Sequence, residues 1–235
     1  MFQRPHARSA QAVTKPARFL RLPGRFAVAQ AAHEALQPDL PWLPSQWKWH
    51  LGTQFLILRG GPPTQTPGGE LTSGADRDAP VLARMPAVKA LLDKALPARA
   101  RVAWIGRSPP GARICLHVDN TPFWDEHHRV HLPLVTDPAA RLAVAGRFAH
   151  FPAGEAWAFN NSKVHGALND GPAPRLHLLV DLPDTAAVRA WLAAGEAVDG
   201  AADPGAWAAL AVDPLVRLTD AQRADAPLMA RLRAQ

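Results

Sequence analysis

His117-Val118-Asp119-Asn120, followed by Arg129-Val130-His131 and farther on by His165 and Arg175, is the stretch on which the reading of this chain turns. In an extended strand alternate side chains share a face, so His117 and Asp119 project together. Arg129 and His131 form a second such pair, and Arg175 and His177 a third. Leu116, Val118, Val130, Leu132, Leu134, Leu176, Leu178 and Val180 fall on the opposite face. One face is therefore rich in His, Arg and Asp while the other is continuously apolar. A solvated outer face would also alternate, but it would not need three pairs of such residues. The polar face is read as the lumen of a double-stranded β-helix, with the apolar face covered by helices and a facing sheet.

The surrounding punctuation agrees. Short strands are predicted over 102–107, 112–118, 130–135, 141–145, 156–160 and 175–182. They are separated by Ser108-Pro109-Pro110-Gly111, Asp137-Pro138, Pro152-Ala153-Gly154 and Asn169-Asp170-Gly171-Pro172. Regular short strands with such turns point to a sandwich or barrel rather than to alternating β/α units. The expected class is mainly β, a jelly-roll or cupin-like double-stranded β-helix with flanking helices.

Such a face can do chemistry. His117 and Asp119 can grip one cation, and a distant His165 would complete three ligands. Two imidazoles and a carboxylate that leave positions open suit non-haem Fe(II). Arg175, ten residues beyond His165, offers a fixed cationic fork for a carboxylate. Taken alone, a His-x-Asp pair on a strand is more often a surface or hydrogen-bonded pair.

The segments HVDN, RVHLPLV, FPAGEAWAFNNSKVHGALND and PRLHLLVDL together resemble the core of the aspartyl/asparaginyl β-hydroxylase family, which includes bacterial proline hydroxylases and belongs to the Fe(II)/2-oxoglutarate dioxygenases. The resemblance covers roughly residues 100–182. It implies His117, Asp119 and His165 as iron ligands and Arg175 as the partner of the distal carboxylate of 2-oxoglutarate. It further implies Arg129 and His131 as the family's R-x-H pair near the cosubstrate, with His177 standing where many relatives place a serine. Animal peptide hydroxylases of the family have glycine at the position of Asp119, which draws this chain toward the branch acting on free amino acids. The implied substrates are a free, proline-like amino acid or an Asp or Asn residue in a peptide, oxidised with O2 to release succinate and CO2. Lipid A hydroxylases of the family are disfavoured. A cupin-like metal-binding or sensing protein without turnover is the alternative.

Composition bounds the rest. With 235 residues and 48% of them hydrophobic, the chain can bury one sizeable core. The single Cys115 excludes an intramolecular disulfide and any C-x-x-C zinc site, and a reducing cytoplasm is the expected setting. Counting two residues back from His117 puts Cys115 on the polar face as a small buried thiol. The formal charge of +6 resides entirely in Arg4, Arg8, Lys15, Arg18, Arg21 and Arg25, and the remainder of the chain is balanced. A basic arm of this kind could touch phosphate or anionic lipid, or serve as a transit peptide. The reading favoured here is a flexible solvated arm over 1–25, whose removal leaves turnover intact, and nucleic-acid binding is not expected. No apolar run reaches 18 residues and no signal peptide is recognisable, so a membrane span is not expected.

Between arm and core, a short helix is predicted over 28–36, a strand over 54–59 and a helix over 86–96. Trp47 and Trp49 share a face and could line a pocket mouth. The stretch 60–69 reads as a loop without a phosphate-binding signature. His127 and His128 fall in a polar loop and read as solvated residues or substrate contacts. After a core spanning 26–182, residues 183–235 read as a helical extension with helices over 185–194, 204–211 and 220–233. That extension could act as lid, cap or dimer contact.

Overall fold

The computed structural model describes residues 13–45, 47–60, 77–119 and 121–234. In chain order the first half forms β1 (Phe19–Arg25), α1 (Ala29–Ala35), β2 (Leu43–Pro44), β3 (Gln54–Arg59), α2 (Pro86–Lys94), β4 (Val102–Ser108) and β5 (Arg113–His117). Next come β6 (His127–Val135), β7 (Ala140–Val144), β8 (Arg147–His150), β9 (Glu155–Phe159), β10 (His165–Asn169) and β11 (Arg175–Pro183). The chain continues through α3 (Ala186–Ala193), β12 (Glu196–Val198), β13 (Ala201–Ala202), α4 (Pro204–Leu210), α5 (Asp220–Ala224) and α6 (Ala226–Arg233).

The strands build two antiparallel sheets that face each other, the double-stranded β-helix expected from the alternation. The larger runs β12-β1-β9-β6-β11-β4-β3-β2 and the smaller β13-β8-β7-β10-β5. At the centre of the larger sheet, β6 and β11 pair with Leu132 opposite Leu178 and Arg129 opposite Asp181. That register keeps the leucines and valines on one face and the charged residues on the other, because the side-chain period of a strand is two. Val130, Leu132, Leu176, Leu178 and Val180 join Val88, Leu91 and Leu92 of α2 and Val188 of α3 in one buried cluster. Helices therefore cover the outer face of the larger sheet. α2 has no side-chain cap of its own; instead Glu34 of α1 accepts from Ala87 N at 2.9 Å and Val88 N at 3.0 Å, placing a carboxylate at the positive end of the helix.

Between the sheets, Phe19, Leu142, Phe151, Trp157 and Phe159 form an apolar plug. Beside this plug lies a cavity lined from both sheets.

Several expectations need correction. Residues 1–12 of the expected arm lie outside the described residues, but 19–25 are a strand. β1 inserts between β9 and β12, because Phe19 and Leu22 bury almost completely, at 1% and 3% exposure. Arg18, Arg21 and Arg25 meet Asp199, Glu196 and Glu155, and Lys15 donates to the His127 carbonyl at 2.7 Å. These cations are locally compensated, and removing 1–25 would take out an interior strand rather than a free arm.

The extension beyond 182 is not purely helical, since β12 and β13 add edge strands to the two sheets. Its first helix begins where expected, with the Thr185 side chain accepting from Val188 N. The helix expected over 220–233 is two, because Pro227 cannot donate to a preceding turn; Asp225 ends α5 and its side chain caps α6 at Leu228 N. β8 follows β7 through Ala145 and Gly146, both at positive φ (47° and 79°), the geometry of a tight hairpin turn. The loop expected over 60–69 lies outside the described residues apart from Gly60. No described helix is long and apolar enough to cross a membrane.

Candidate metal centre

β5 and β10 lie side by side in the smaller sheet, with His117 directly opposite His165. Four residues of β5 (Ile114 to His117) oppose three of β10 (His165 to Ala167) there, a bulge that resets the alternation. Consequently Ile114, not Cys115, lines the cavity with His117, and Leu116 packs outward toward Leu210 of α4. Cys115, the single cysteine of the chain, is buried. Gly166, next to His165, is required by this close approach: a Cβ on it would lie 2.6 Å from the Ile114 carbonyl.

The chain leaves β5 through Asp119, whose backbone N–H donates to the Asn161 carbonyl at 3.0 Å. This brings one ligand atom each of His117, Asp119 and His165 within 4.8 Å of one another. The Asp119 Oδ1 lies 3.8 Å from His117 Nε2 and 3.9 Å from His165 Nε2.

Each of the three is oriented from behind. His117 Nδ1 donates to the Cys115 carbonyl at 2.8 Å and His165 Nδ1 to the Lys163 carbonyl at 2.9 Å. With the proton fixed on Nδ1, each Nε2 carries a bare lone pair toward the centre. The other carboxylate oxygen of Asp119, Oδ2, accepts from Asn161 Nδ2 at 3.1 Å and from Arg129 Nη1 at 3.4 Å, leaving Oδ1 to the centre. Burial alone would raise the Asp119 pKa, yet His165, Arg129, His117 and the Asn161 bond hold it down at about 2. Burial pushes His117 and His165 below the usual imidazole range, so both are neutral donors of electron pairs at neutral pH. This donor set fits a divalent cation of the iron type.

The larger sheet supplies the opposite wall of the same cavity, whose volume is about 210 Å³ and which His131, Arg129 and Arg175 also line. Arg175 is buried at 6% exposure and, among the described residues, forms no ion pair with a carboxylate. Burial lowers its pKa to about 10, so it remains cationic. Its Nη2 donates to His177 Nδ1 at 3.0 Å. His177 therefore stands behind Arg175 rather than in the cavity. His131 Nδ1 approaches the same nitrogen at 3.3 Å, and the buried Nε2 atoms of His131 and His177 have no hydrogen-bond partner among the described residues.

Arg129 is held more tightly. It makes a two-point pair with Asp181, Nε–Oδ1 at 2.9 Å and Nη2–Oδ2 at 3.0 Å. Its guanidinium sits between the rings of Trp104 and Trp124, 4.5 and 4.2 Å from their centroids. It thus links Asp181 to Asp119.

Sequence reasoning missed Asp181, Asn161's contact with Asp119, Ser108 and His50. Ser108 stands opposite Arg175 in the strand register, which the alternation of β4 could have suggested. His50 comes from the aromatic segment flagged at the pocket mouth: Trp49 stacks on His117 (centroids 5.6 Å, 19°), and His50 Nε2 lies 3.2 Å from His117 Nε2. Burial pushes the His50 pKa down to about 4. The two histidines assigned to a polar loop are instead buried at the start of β6, His127 stacked on Phe123 at 3.9 Å and His128 2.8 Å from Asp184. Asn160 shapes the turn before His165, accepting from Ser162 N at 3.1 Å.

A family model described as aspartyl/asparaginyl beta-hydroxylase matches residues 49–185. Among solved structures, the chain is similar to an oxidoreductase of the 2OG-Fe(II) oxygenase family from Burkholderia pseudomallei, with 18% identity, 70% of this chain and 85% of that chain covered, and a TM-score of 0.48. It is also similar to a predicted oxalate decarboxylase from Thermotoga maritima (19% identity, 36% of this chain, 67% of that one, TM-score 0.30). A Klebsiella pneumoniae protein with a double-stranded beta-helix domain is a third such match (28% identity, 36% and 69% covered, TM-score 0.29). No curated protein matches the chain significantly.

Proposed function

Because the chain belongs to the aspartyl/asparaginyl β-hydroxylase family, we propose that it is an Fe(II)- and 2-oxoglutarate-dependent dioxygenase that hydroxylates an amino acid, free and proline-like or an Asp or Asn residue in a peptide. The observation that carries this reading is the pairing of two unlike walls in one cavity. A cluster of two neutral imidazoles and a carboxylate faces a buried guanidinium that has no carboxylate partner among the described residues. A buried unpaired cation is costly, and a carboxylate-bearing ligand would remove that cost.

Bound Fe(II), with 2-oxoglutarate and O2, supplies the oxidation that replaces C–H by C–OH while succinate and CO2 are released. The residues of the chain bind and orient. His117, Asp119 and His165 would hold the metal, and Asn161 and Arg129 keep Asp119 Oδ1 turned to it. Arg175 would receive the distal carboxylate, with the Ser108 hydroxyl beside it and His177 fixing the guanidinium from behind. His131 and Arg129 would border the substrate and the metal-binding end of the cosubstrate. Trp49, flat against His117, would exclude water at the mouth. A reducing cytoplasm suits a chain with a single, buried cysteine, Cys115.

The test is a screen of free amino acids and short Asp- or Asn-containing peptides with Fe(II) and 2-oxoglutarate. Product heavier by one oxygen together with equimolar succinate is expected. Metal bound with no succinate from any candidate would turn the reading to the sensor protein.

A further inference from the structure

The inner face of the larger sheet carries a group of apolar side chains to which the proposed roles give no task. The smaller sheet ends at β5, whereas the larger continues past β11 through β4, β3 and β2. The register puts Leu179 of β11 beside Trp104 of β4, Asp181 beside Val102, and Gly106 of β4 beside Phe55 of β3. Because the side-chain period of a strand is two, these residues share the face of Arg175 and Asp181. Phe55, Val102 and Trp104 form a cluster of their own, with Leu179 and Phe123 packed against it. Phe55, Val102, Trp104 and Leu179 all line the cavity.

Leu179 lies on a central strand paired on both sides, yet it is only half-buried while the other leucines of β11 are buried. What lies over it is the cavity. Gly106 keeps the wall low beside it: a Cβ there would lie 3.2 Å from Leu179 Cδ1. The 3-10 turn Lys48–His50 brings Trp49 to the same space. Apolar surface turned into a cavity that holds a few placed polar groups suits a ligand with a hydrocarbon part.

This apolar shelf abuts the metal cluster. Trp104 carries the Arg129 guanidinium 4.5 Å from its ring centroid, and Arg129 Nη1 reaches Asp119 Oδ2 at 3.4 Å. The charges on this side are committed. Asp181 holds Arg129 at two points, and Trp124 covers the second face of its guanidinium. Arg175 is assigned to the cosubstrate. The Arg107 guanidinium lies over Trp42, which packs with the outer core. A carboxylate or carboxamide laid on the shelf would give up water and find no partner among these groups, which is costly. A hydrocarbon group gives up nothing there.

We infer that Phe55, Trp104 and Leu179 select the substrate, and that the group hydroxylated is the hydrocarbon side chain or ring of an apolar amino acid rather than the side chain of Asp or Asn. The inference rests on the dioxygenase reading above. One C–H bond of that group becomes C–OH. One atom of O2 enters this hydroxyl and the other enters succinate, and 2-oxoglutarate supplies the other two electrons as it loses CO2.

The experiment titrates the full chain by calorimetry, both metal-free and loaded with Fe(II) and 2-oxoglutarate under argon. Two series of probes are used, free amino acids and N-acetyl amino acid amides, each with Pro, Leu, Phe, Asp and Asn. In at least one series the tightest apolar member should bind about tenfold or more tightly than Asp and Asn, the scale of small hydrocarbon differences in an apolar pocket. Leu179→Asn keeps the volume and removes the hydrocarbon surface, and Phe55→Ala removes a wall. Each, checked by circular dichroism, should reduce that preference about tenfold. Asp or Asn bound as tightly as the apolar members in both series, no binding of any apolar probe, or a preference that survives both variants overturns the inference. Turnover is read separately: apolar probes that bind through the shelf yet give no succinate with O2 fail the dioxygenase reading and leave the shelf's choice of ligand intact.

Discussion

The two walls of the cavity are built on opposite principles. On the smaller sheet, His117 and His165 spend their N–H groups on backbone carbonyls two residues away, and Asp119 spends one oxygen on Asn161 and Arg129. What remains is a surplus of electron pairs. On the larger sheet, Arg175 is backed by a neutral imidazole, and the charge of Arg129 is shared between Asp181 and Asp119. What remains there is a surplus of positive charge. One wall is finished by a cation and the other by an anion. A molecule that chelates a metal at one end and carries a carboxylate at the other satisfies both.

The sharpest break of this contrast is Asp119→Ala. It removes the anionic member of the cation wall, and the loss of Fe(II) affinity should exceed the about 10–100-fold typical of groups behind a ligand. Hydroxylation should vanish while circular dichroism is unchanged, because the apolar outer face is untouched. Equal affinity in an anaerobic iron titration, with activity retained, would reduce the wall to its histidines.

Arg175→Ala attacks the anion wall alone. Hydrogen bonds to charged groups contribute about 1.5–3 kcal/mol, so 2-oxoglutarate should bind roughly tenfold to hundredfold more weakly. Iron affinity should stay within about twofold. A mutant with unchanged cosubstrate binding removes Arg175 from the site, and one that loses iron as well shows the walls to be coupled.

Asn161→Ala is a milder probe of the cation wall. The side chain is buried at 1% exposure and holds Asp119 Oδ2, so its loss should weaken Fe(II) about tenfold and leave the 2-oxoglutarate constant of the iron-loaded protein nearly unaltered.

The smallest effect is on stability. Burial, followed by the nearby charge of Arg175, lowers the His131 and His177 pKa values well below the usual range. The unfolded chain therefore binds more protons than the folded one once pH drops through about 6.5. The stability these groups contribute is complete above that pH and declines below it, by up to about 1.4 kcal/mol per pH unit for each. Melting of the metal-free protein should move down by a few degrees between pH 7.5 and 5.5. A flat profile would mean that these two imidazoles are not buried neutral.

Much of this contrast was legible where periodicity is long. β6 and β11 have nine residues each, enough to separate the charged face from the leucine face, and His117, Asp119, His165 and Arg175 stand out together through the family resemblance rather than through spacing alone. β10 was not legible. His-Gly-Ala-Leu-Asn has little β preference and forms a strand because β5 and β7 flank it on both sides. β1 was masked by Pro23 and three arginines, whose acidic partners lie 130 or more positions away. His50 was invisible for the same reason, since nothing local says that a residue 67 positions upstream will touch His117. The bulge in β5 defeated simple counting at Cys115.

The turn that carries His50 is itself covered late in the chain. A second 3-10 turn, Pro214–Arg217, packs on Lys48–His50, and Asp213 adds its field to Lys48. During synthesis His117 of β5 and His165 of β10 leave the ribosome well before this cover does. A cluster assembled before this cover would meet divalent ions with its rim open, where affinities follow their intrinsic order rather than the shape of the finished pocket. Which ion the protein carries would then be settled partly by the metals present as it is made.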